Sequence, residues 1–324
     1  MRSTDFFATH PVFTHDEYLA ATGLGRTRSP RTVESLLAAY VAAGRIVRVR
    51  RGLYASVPPG EPLQAHQPDP FLIAGKLAPD AVVGYHAALQ LRGKAYSVWH
   101  RYPVLLTGAL QPFSYQGNEF VRVAYPKSLR ARPDLGGCIV TEPCAGGTVR
   151  VTSLERTLVD VLHAPELGGG WEEIWRSLAM VEYFDFGTLL AYAAALGSAL
   201  TCARLGFYLE LHRERLFVEE WHLRELRQLA PKQPRYLDRT RETGRLIMPW
   251  NLVVPPRVID SAWEYVPLAP ERPCEGNTRD KLAAARKPTT AAGPKPTAKP
   301  ANGGTPIGLL TGSKGLSTTS SSSA

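Results

Sequence analysis

The chain has 324 residues, of which 44% are hydrophobic, and it carries a formal net charge of +9. This length suffices for a sizeable core and more than one domain, and no apolar run approaches the ~18 residues that a membrane helix needs. The four cysteines are too few and too irregularly spaced for a disulfide scaffold or a CxxC metal site. We therefore expect a cytoplasmic protein that binds no metal and does not enter the membrane.

Two helices and a hairpin are predicted within residues 1–58. Thr14 and Glu17 have the spacing of a capping box, which predicts a first helix. Ser29 and Pro30 are typical of a second helix start. The apolar residues of this second helix recur at helical spacing: Val33, Leu36, Leu37, Tyr40 and Val41. Two short strands follow, so the order of elements predicts a winged helix-turn-helix domain.

Positive charge is concentrated in residues 26–51. This segment has seven arginines against one acid, Glu34, and therefore a net charge of +6. The arginines lie before, at the start of and after the predicted second helix: Arg26, Arg28, Arg31, Arg45, Arg48, Arg50 and Arg51. A local patch of this kind indicates a docking surface more strongly than a basic average does.

The winged-helix order assigns two roles to this patch. The second helix of such a domain enters the major groove with its N-terminal residues, so we predict DNA contacts there, with Ser29 also capping the helix: Arg26, Arg28, Ser29, Arg31, Thr32 and Ser35. At the hairpin tip, Arg48, Arg50 and Arg51 are predicted to hold phosphates or an adjacent minor groove. A basic surface that docks a protein is the alternative to DNA binding.

A second domain, residues 70–267, is predicted after a proline-rich linker, residues 59–69. Helices are expected near 70–77 and 84–92, strands near 102–107 and 119–125, and further helices after residue 151. The apolar run 246–255 is predicted to close this domain as an edge strand. Residues 268–324 have the composition of a disordered basic tail. The predicted fold class is therefore α+β: an N-terminal winged helix-turn-helix, a mixed α+β domain and a tail.

Several segments resemble the AbiEi-type antitoxins. FTHDEYLAATG, followed by TVESLLAAYVAAGRIVRVRRGLYA, is similar to the N-terminal winged helix of that family. The resemblance continues in APDAVVGYHAALQLRG, VTSLERTLVDVLHAPELGGGWEEI and ARLGFYLELH, and thus spans roughly residues 12–256. These proteins are the antitoxin and repressor components of type IV toxin–antitoxin (abortive infection) systems, which act in phage defence.

The resemblance implies two activities. The winged helix would repress the protein's own operon by binding inverted repeats in the promoter, which are double-stranded DNA. The C-terminal domain would counteract a nucleotidyltransferase-like toxin that is encoded next door, and a stable complex between the two proteins is not assumed. The alternative function is a stand-alone winged-helix transcription regulator whose C-terminal domain senses a ligand or oligomerises. A nuclease-related domain fused to a DNA-targeting module is a third hypothesis.

Candidate functional residues in the second domain have two interpretations. Arg156 and Asp160 are spaced i, i+4 and can pair, whereas Glu155 and Asp160 point about 140° apart around a helix. We favour a structural ion-pair network, and the alternative is an antitoxicity surface of Glu155, Arg156, Asp160 and Arg204. His86 lies in an apolar helix and is interpreted as a satisfied core histidine. No Ser/His/Asp or Cys/His spacing indicates catalysis, so we predict no enzymatic activity and no cofactor.

Overall fold

A computed structural model describes residues 1–24, 28–131, 135 and 138–259. The predicted tail, residues 268–324, and Arg26 lie outside the described residues. The described elements of the N-terminal part are, in chain order: α1 (Ser3–Thr9), β1 (Val12–Thr14), α2 (His15–Thr22), α3 (Pro30–Ala42), β2 (Ile46–Arg50) and β3 (Leu53–Ser56).

The predicted helix caps are confirmed. The Thr14 side chain accepts the backbone N–H of Glu17, and the Glu17 carboxylate accepts the N–H of Thr14 at 2.8 Å, which completes the capping box of α2. The Ser29 hydroxyl accepts the N–H of Thr32 at 3.3 Å and so begins α3. Both caps satisfy backbone donors that a helix start leaves without an intrahelical partner.

The first predicted element begins at Thr14, so the sequence did not predict α1 and β1. Strand β1 pairs antiparallel with β3 and turns the predicted hairpin into a three-stranded sheet of order β1-β3-β2. A compact aromatic core explains why α1 forms, since two of its phenylalanines are buried against α2, α3 and this sheet. The core residues are: Phe6, Phe7, Phe13, Tyr18, Val33, Leu37, Ile46 and Tyr54.

A mixed six-stranded sheet of order β6-β7-β5-β4-β9-β8 is the centre of the C-terminal part. The pairs β5–β7 and β4–β9 are parallel, and the other neighbours are antiparallel. The strands are: β4 (Val82–Val83), β5 (Arg101–Leu105), β6 (Phe113–Tyr115), β7 (Asn118–Val123), β8 (Ile139–Cys144) and β9 (Gly147–Thr152). Together with the helices, this sheet confirms a mixed α+β fold class.

Most helices of the C-terminal part cover one face of this sheet. Val82 and Leu105 are opposite each other in the β4–β5 register and belong to the cluster that the helices fill. The described helices of the C-terminal part are: α4 (Pro70–Gly75), α5 (Tyr85–Leu91), α6 (Leu154–His163), α7 (Gly170–Ala179), α8 (Phe186–Leu196), α9 (Ala199–Leu211), α10 (Glu220–Leu229) and α11 (Pro256–Ile259). Short 3-10 turns lie at Lys127–Leu129, Pro165–Leu167 and Met248–Trp250.

The apolar run 246–255 does not form the predicted edge strand of the main sheet. It contributes β11 (Arg245–Ile247) and β12 (Leu252–Val254), separated by the last 3-10 turn. With β10 (Arg235–Tyr236) they form a separate sheet of order β10-β12-β11, in which β12 is central. This run lies away from the main sheet because the buried indole of Trp250 packs against Gly206 of α9. That contact holds the small sheet on the helical layer.

The other face of the main sheet is covered by α4 and by the N-terminal hairpin. Val83 and Val104, the next register pair, belong to a cluster that also contains Val49 and Leu53 of the hairpin. A salt bridge between Lys76 and Glu17 joins the same two parts. These residues all fall within one unit of the chain, Met1–Val266. The domain boundaries around the linker at residues 59–69 stay a prediction.

Candidate nucleic-acid interface

The start of α3 presents a polar, basic face to solvent. Val33 and Leu37 are buried in the aromatic core, whereas Arg28, Arg31 and Thr32 are exposed. Among the described residues, no carboxylate forms an ion pair with either arginine, so both guanidinium groups are available to a ligand. Their charge lies within one helical turn of the N-terminus of α3, where the helix dipole also favours an anion.

The hydroxyl groups of this face are already engaged within the helix. Ser29 Oγ lies 2.9 Å from Thr32 Oγ1 as well as capping the helix. Ser35 Oγ donates to the backbone carbonyl of Arg31 at 3.0 Å. The three hydroxyls therefore contribute first to local helix structure, and the arginines provide the charge of the surface.

Two hairpin arginines extend this surface. Arg48 and Arg51 are exposed, and they line a groove of about 720 Å³ between the hairpin and α3. Asp16 and Glu34 line the same groove. The basic groups thus lie at the helix start and at the hairpin tip, with acidic groups beside them. This arrangement fits an anionic ligand that follows the outer rim and not one that fills the groove.

Arg50 has a different position from Arg48 and Arg51. The register of β2 against β3 shifts between Arg48 and Arg50, which marks a β-bulge. Arg50 accordingly faces the main sheet, where its Cζ lies 5.1 Å from the centroid of the Phe113 ring. Its Nη1 is buried and has no hydrogen-bond acceptor among the described residues. The structure therefore does not group Arg50 with the exposed arginines of the hairpin tip.

Arg45 lies at the opposite end of α3, about 18 Å from its start for a helix of this length. It donates to Thr4 Oγ1 at 3.2 Å, and its Cζ lies 5.3 Å from the centroid of the Tyr40 ring. These contacts tie α3 to α1. Its sequence neighbours suggested a role in the basic patch, but its contacts are those of a structural residue.

Comparisons with known proteins show a similarity in fold. No family model matches the chain, and no curated protein matches it. The crystal structure of the Rv2827c protein from Mycobacterium tuberculosis is similar to it, with a TM-score of 0.51 and 19% sequence identity. The match covers 81% of this chain and 92% of that chain. At this level of identity the similarity concerns the fold alone.

The candidate residues of α6 are mostly buried. Arg156 is fully buried, and its Nε lies 3.2 Å from Asp160 Oδ2, which confirms the predicted i, i+4 pair. The Tyr192 hydroxyl donates to the other oxygen of Asp160 at 2.7 Å. Burial alone would lower the pKa of Arg156, but the charge and hydrogen bond of Asp160, together with Tyr192 and Tyr125, outweigh it and raise that pKa. Arg156 therefore remains charged inside the helical layer.

Arg204 and Glu155 also make contacts within the fold. Arg204 is 6% exposed, and it donates to the backbone carbonyls of Leu237 and Leu162, each at 2.7 Å. Burial lowers the pKa of Arg204 to about 10. Glu155 is partly exposed and accepts the N–H of Asp185 at 3.1 Å. Of the four candidates for antitoxicity, the structure thus leaves only Glu155 within direct reach of a partner.

His86, which we predicted to be a satisfied core histidine, lies in a buried polar network that pairs its Nε2, whereas its Nδ1 has no partner among the described residues. His86 is fully buried, and its Nε2 lies 2.9 Å from Glu173 Oε1. The same carboxylate accepts the N–H of Ser97 at 3.0 Å and the Ser177 hydroxyl at 3.1 Å. The network connects α5 to α7, and no sequence pattern indicated that Glu173 would approach His86.

The described part of the chain has neither a cluster of metal ligands nor a membrane-spanning helix. No group of three or more His, Cys, Asp or Glu side chains is arranged to hold a metal ion. None of the helices in that part has the length and apolar character needed to cross a membrane.

Proposed function

We propose that this protein is a DNA-binding regulator of the AbiEi antitoxin type. Its N-terminal part, α1 to β3, would act as a winged helix-turn-helix domain that binds its own promoter. The observation that carries this proposal is the set of exposed arginines, free of ion pairs with described residues, at both the start of α3 and the hairpin tip: Arg28, Arg31, Arg48 and Arg51. This is the charge arrangement that a helix in the major groove and a hairpin on the backbone require.

Different arginines would contribute differently to binding. Arg31 lies in the first turn of α3, where a guanidinium can donate two hydrogen bonds to one guanine and discriminate by about 1–3 kcal/mol. Arg51 is at the hairpin turn, where contacts to phosphate oxygens carry no sequence information. The two positions should therefore be separable by comparing specific with non-specific DNA.

The test is a binding assay of the full chain on the DNA upstream of its own gene and on a duplex of unrelated sequence. We expect Arg31→Ala to weaken binding to the upstream DNA more than to the unrelated duplex, and Arg51→Ala to weaken both alike. Arg245→Ala is the matched control, because Arg245 is exposed on β11 and lines no part of this interface. If neither variant differs from the control, the docking model is wrong.

The antitoxin half of the proposal rests on the resemblance in sequence. The test is co-expression of the full chain with the toxin encoded by a neighbouring gene. We expect the double variant Arg28→Ala, Arg31→Ala to lose repression and to retain protection, because both side chains are on the N-terminal part. Substitutions are preferable to a truncation, since the hairpin shares a hydrophobic cluster with the main sheet. Loss of both activities together would contradict the division of roles.

A second candidate function, a regulator that senses a ligand, is favoured by one observation. A cleft of about 1160 Å³ lies between α1, residues 57–70 and the main sheet. His66 lines it, with Nδ1 3.1 Å from Glu61 Oε2 and a buried Nε2 that has no partner among the described residues. A small molecule that alters promoter binding by the wild type but not by His66→Leu would favour this function.

A further inference from the structure

A second basic groove lies where the hairpin meets the C-terminal part. It has a volume of about 550 Å³ and is bounded by the hairpin turn, the start of α2, the end of α4 and strand β9. Its charged lining residues come from all four elements: Asp16, Glu17, Arg50, Arg51, Lys76 and Arg150. Four of these six side chains are basic, so the groove has an excess of positive charge.

The two acidic side chains form ion pairs with Lys76 and His15 and not with the arginines of the groove. Glu17 forms the salt bridge with Lys76 and also completes the capping box of α2. Asp16 points outward, with its side chain 97% exposed, and its nearest basic neighbour is the imidazole of His15 at 3.3 Å. The positive charge that remains in the groove belongs to the three arginines.

Arg150 is the arginine that the C-terminal sheet contributes. It is half-buried on β9, in register with Thr141 of β8. Among the described residues, Asp80 is the acid whose charge interacts with it, but the Asp80 carboxylate already accepts the N–H of Thr107 at 2.7 Å and its hydroxyl at 2.6 Å. No ion pair within the described chain neutralises Arg150.

Arg50 provides an additional sign that an acceptor is missing. Its guanidinium is fixed over the Phe113 ring, and its buried Nη1 has no acceptor in the described part of the molecule. Buried nitrogen donors in folded proteins are nearly always satisfied by a protein group, water or a ligand. Arg50 also lines the groove, so an anionic oxygen bound there would provide a counter-charge for it and for the neighbouring arginines.

We propose that this groove binds a phosphate group of the DNA backbone, next to the phosphates that Arg51 contacts, and that Arg150 is its principal ligand. The C-terminal sheet would then be part of the DNA-binding surface and not only its support. This inference rests on the proposed DNA-binding function. A guanidinium fork matches the oxygens of a phosphate, and a contact of this kind adds affinity without sequence preference.

The test measures the salt dependence of binding, with the full chain and a duplex of unrelated sequence about two helical turns long. Removing one phosphate contact should make the slope of log K against log salt concentration shallower by about 0.9. From about 50 to about 200 mM salt, the affinity ratio of wild type to Arg150→Ala should therefore narrow about threefold. Arg150→Lys should retain the wild-type slope, because the charge remains, and Arg245→Ala is the control for a general loss of charge.

The possible outcomes are distinct. A slope for Arg150→Ala equal to that of the wild type, while Arg51→Ala is shallower, would overturn this inference and leave the proposed function intact. If neither Arg51→Ala nor Arg31→Ala affects binding, the proposed function itself fails. Thermal stabilisation by inorganic phosphate that Arg150→Ala abolishes, with no change in the DNA slope, would assign the groove to a free phosphate compound and also overturn the inference. A structural role for Arg150 would change the melting temperature and not the slope.

Discussion

The Cζ atom of Arg50 lies 5.1 Å from the centroid of the Phe113 ring, which joins the hairpin to an edge strand of the main sheet. Phe113 itself stacks on Phe120, with ring centroids 4.9 Å apart, so the guanidinium completes a layered contact. A cation over an aromatic face stabilises a fold by about 0.5–2 kcal/mol, depending on how far it is desolvated.

A double-mutant cycle should detect this contact. We expect Arg50→Ala and Phe113→Ala to be coupled by about 0.5–2 kcal/mol in the free energy of unfolding, measured by urea denaturation of the full chain. The pair Arg48→Ala and Phe113→Ala is the control, because Arg48 is exposed on the hairpin. Additive effects of Arg50→Ala and Phe113→Ala would mean that the stacked geometry contributes no stability.

The cap of α3 should affect stability and not base discrimination. Ser29→Ala removes the acceptor for the N–H of Thr32, and we expect it to lower the free energy of unfolding by about 1 kcal/mol. The preference for upstream DNA over unrelated DNA should change little, in contrast to Arg31→Ala. A Ser29→Ala variant that folds normally but loses this preference would instead identify Ser29 as a base contact.

Asp160 is expected to be among the most sensitive positions of the helical layer. Asp160→Asn removes the charge partner of the fully buried Arg156, and leaving such a charge unpaired costs about 3–5 kcal/mol. Glu155→Gln, five residues earlier on the same helix, is partly exposed and should change the free energy of unfolding by less than about 0.5 kcal/mol. Urea denaturation distinguishes the two, and equal effects would refute a structural role for the ion pair.

The stability of the protein should decrease in mild acid. Burial lowers the pKa of His86 and outweighs the opposing effect of the hydrogen bond to Glu173. The folded state therefore keeps His86 neutral, while the unfolded chain takes up a proton below about pH 6.5. The free energy of unfolding should fall below that pH, by at most about 1.4 kcal/mol per pH unit from this residue.

His86→Gln tests this assignment. The glutamine amide can donate to the Glu173 carboxylate as Nε2 does, but it does not titrate. We expect the variant to have a shallower decline in stability than the wild type when urea denaturation is repeated between about pH 7 and pH 5. Parallel curves would assign the loss in acid to other groups, such as His163 and His222, whose pKa values burial also lowers.

Gly206 should not tolerate a side chain. An added Cβ would lie 2.1 Å from Cζ3 of the fully buried Trp250, whose Nε1 is fixed by a hydrogen bond of 2.6 Å to Glu210. Gly206→Ala should therefore lower the free energy of unfolding by about 1–3 kcal/mol through overpacking. Gly108→Ala is the control, since nothing lies within 4 Å of its added Cβ. Equal melting temperatures for the two variants would show that Trp250 can move aside.

The sequence alone predicted the features that depend on residue spacing within one element. The caps at Thr14 and Ser29, the buried face of α3 and the Arg156–Asp160 pair all follow from spacing along one helix. The two short helices at residues 70–75 and 85–91 were also close to their predicted bounds.

The remaining features depend on contacts between distant parts of the chain. Strand β2 is buried on both sides, with Ile46 in the aromatic core and Val49 against the main sheet. The alternation of apolar and polar residues along the strand therefore could not predict which way each arginine points. The bulge that turns Arg50 toward Phe113 leaves no signature in residues 46–51. Arg150 was not predicted for the same reason, because nothing in its local sequence, VRVT at residues 149–152, indicates that it lies near the hairpin.

The hydrophobic cluster shared by the hairpin and the main sheet has a consequence for proteolysis. The exposed stretch between Pro58 and Ala65 connects the two parts covalently, but Val12, Val49 and Leu53 pack in the cluster of the sheet. A protease that cut this stretch would produce two fragments that stay associated, because separation would expose that apolar surface to water. The cleaved protein should elute as one species on gel filtration and should separate into fragments only in denaturant.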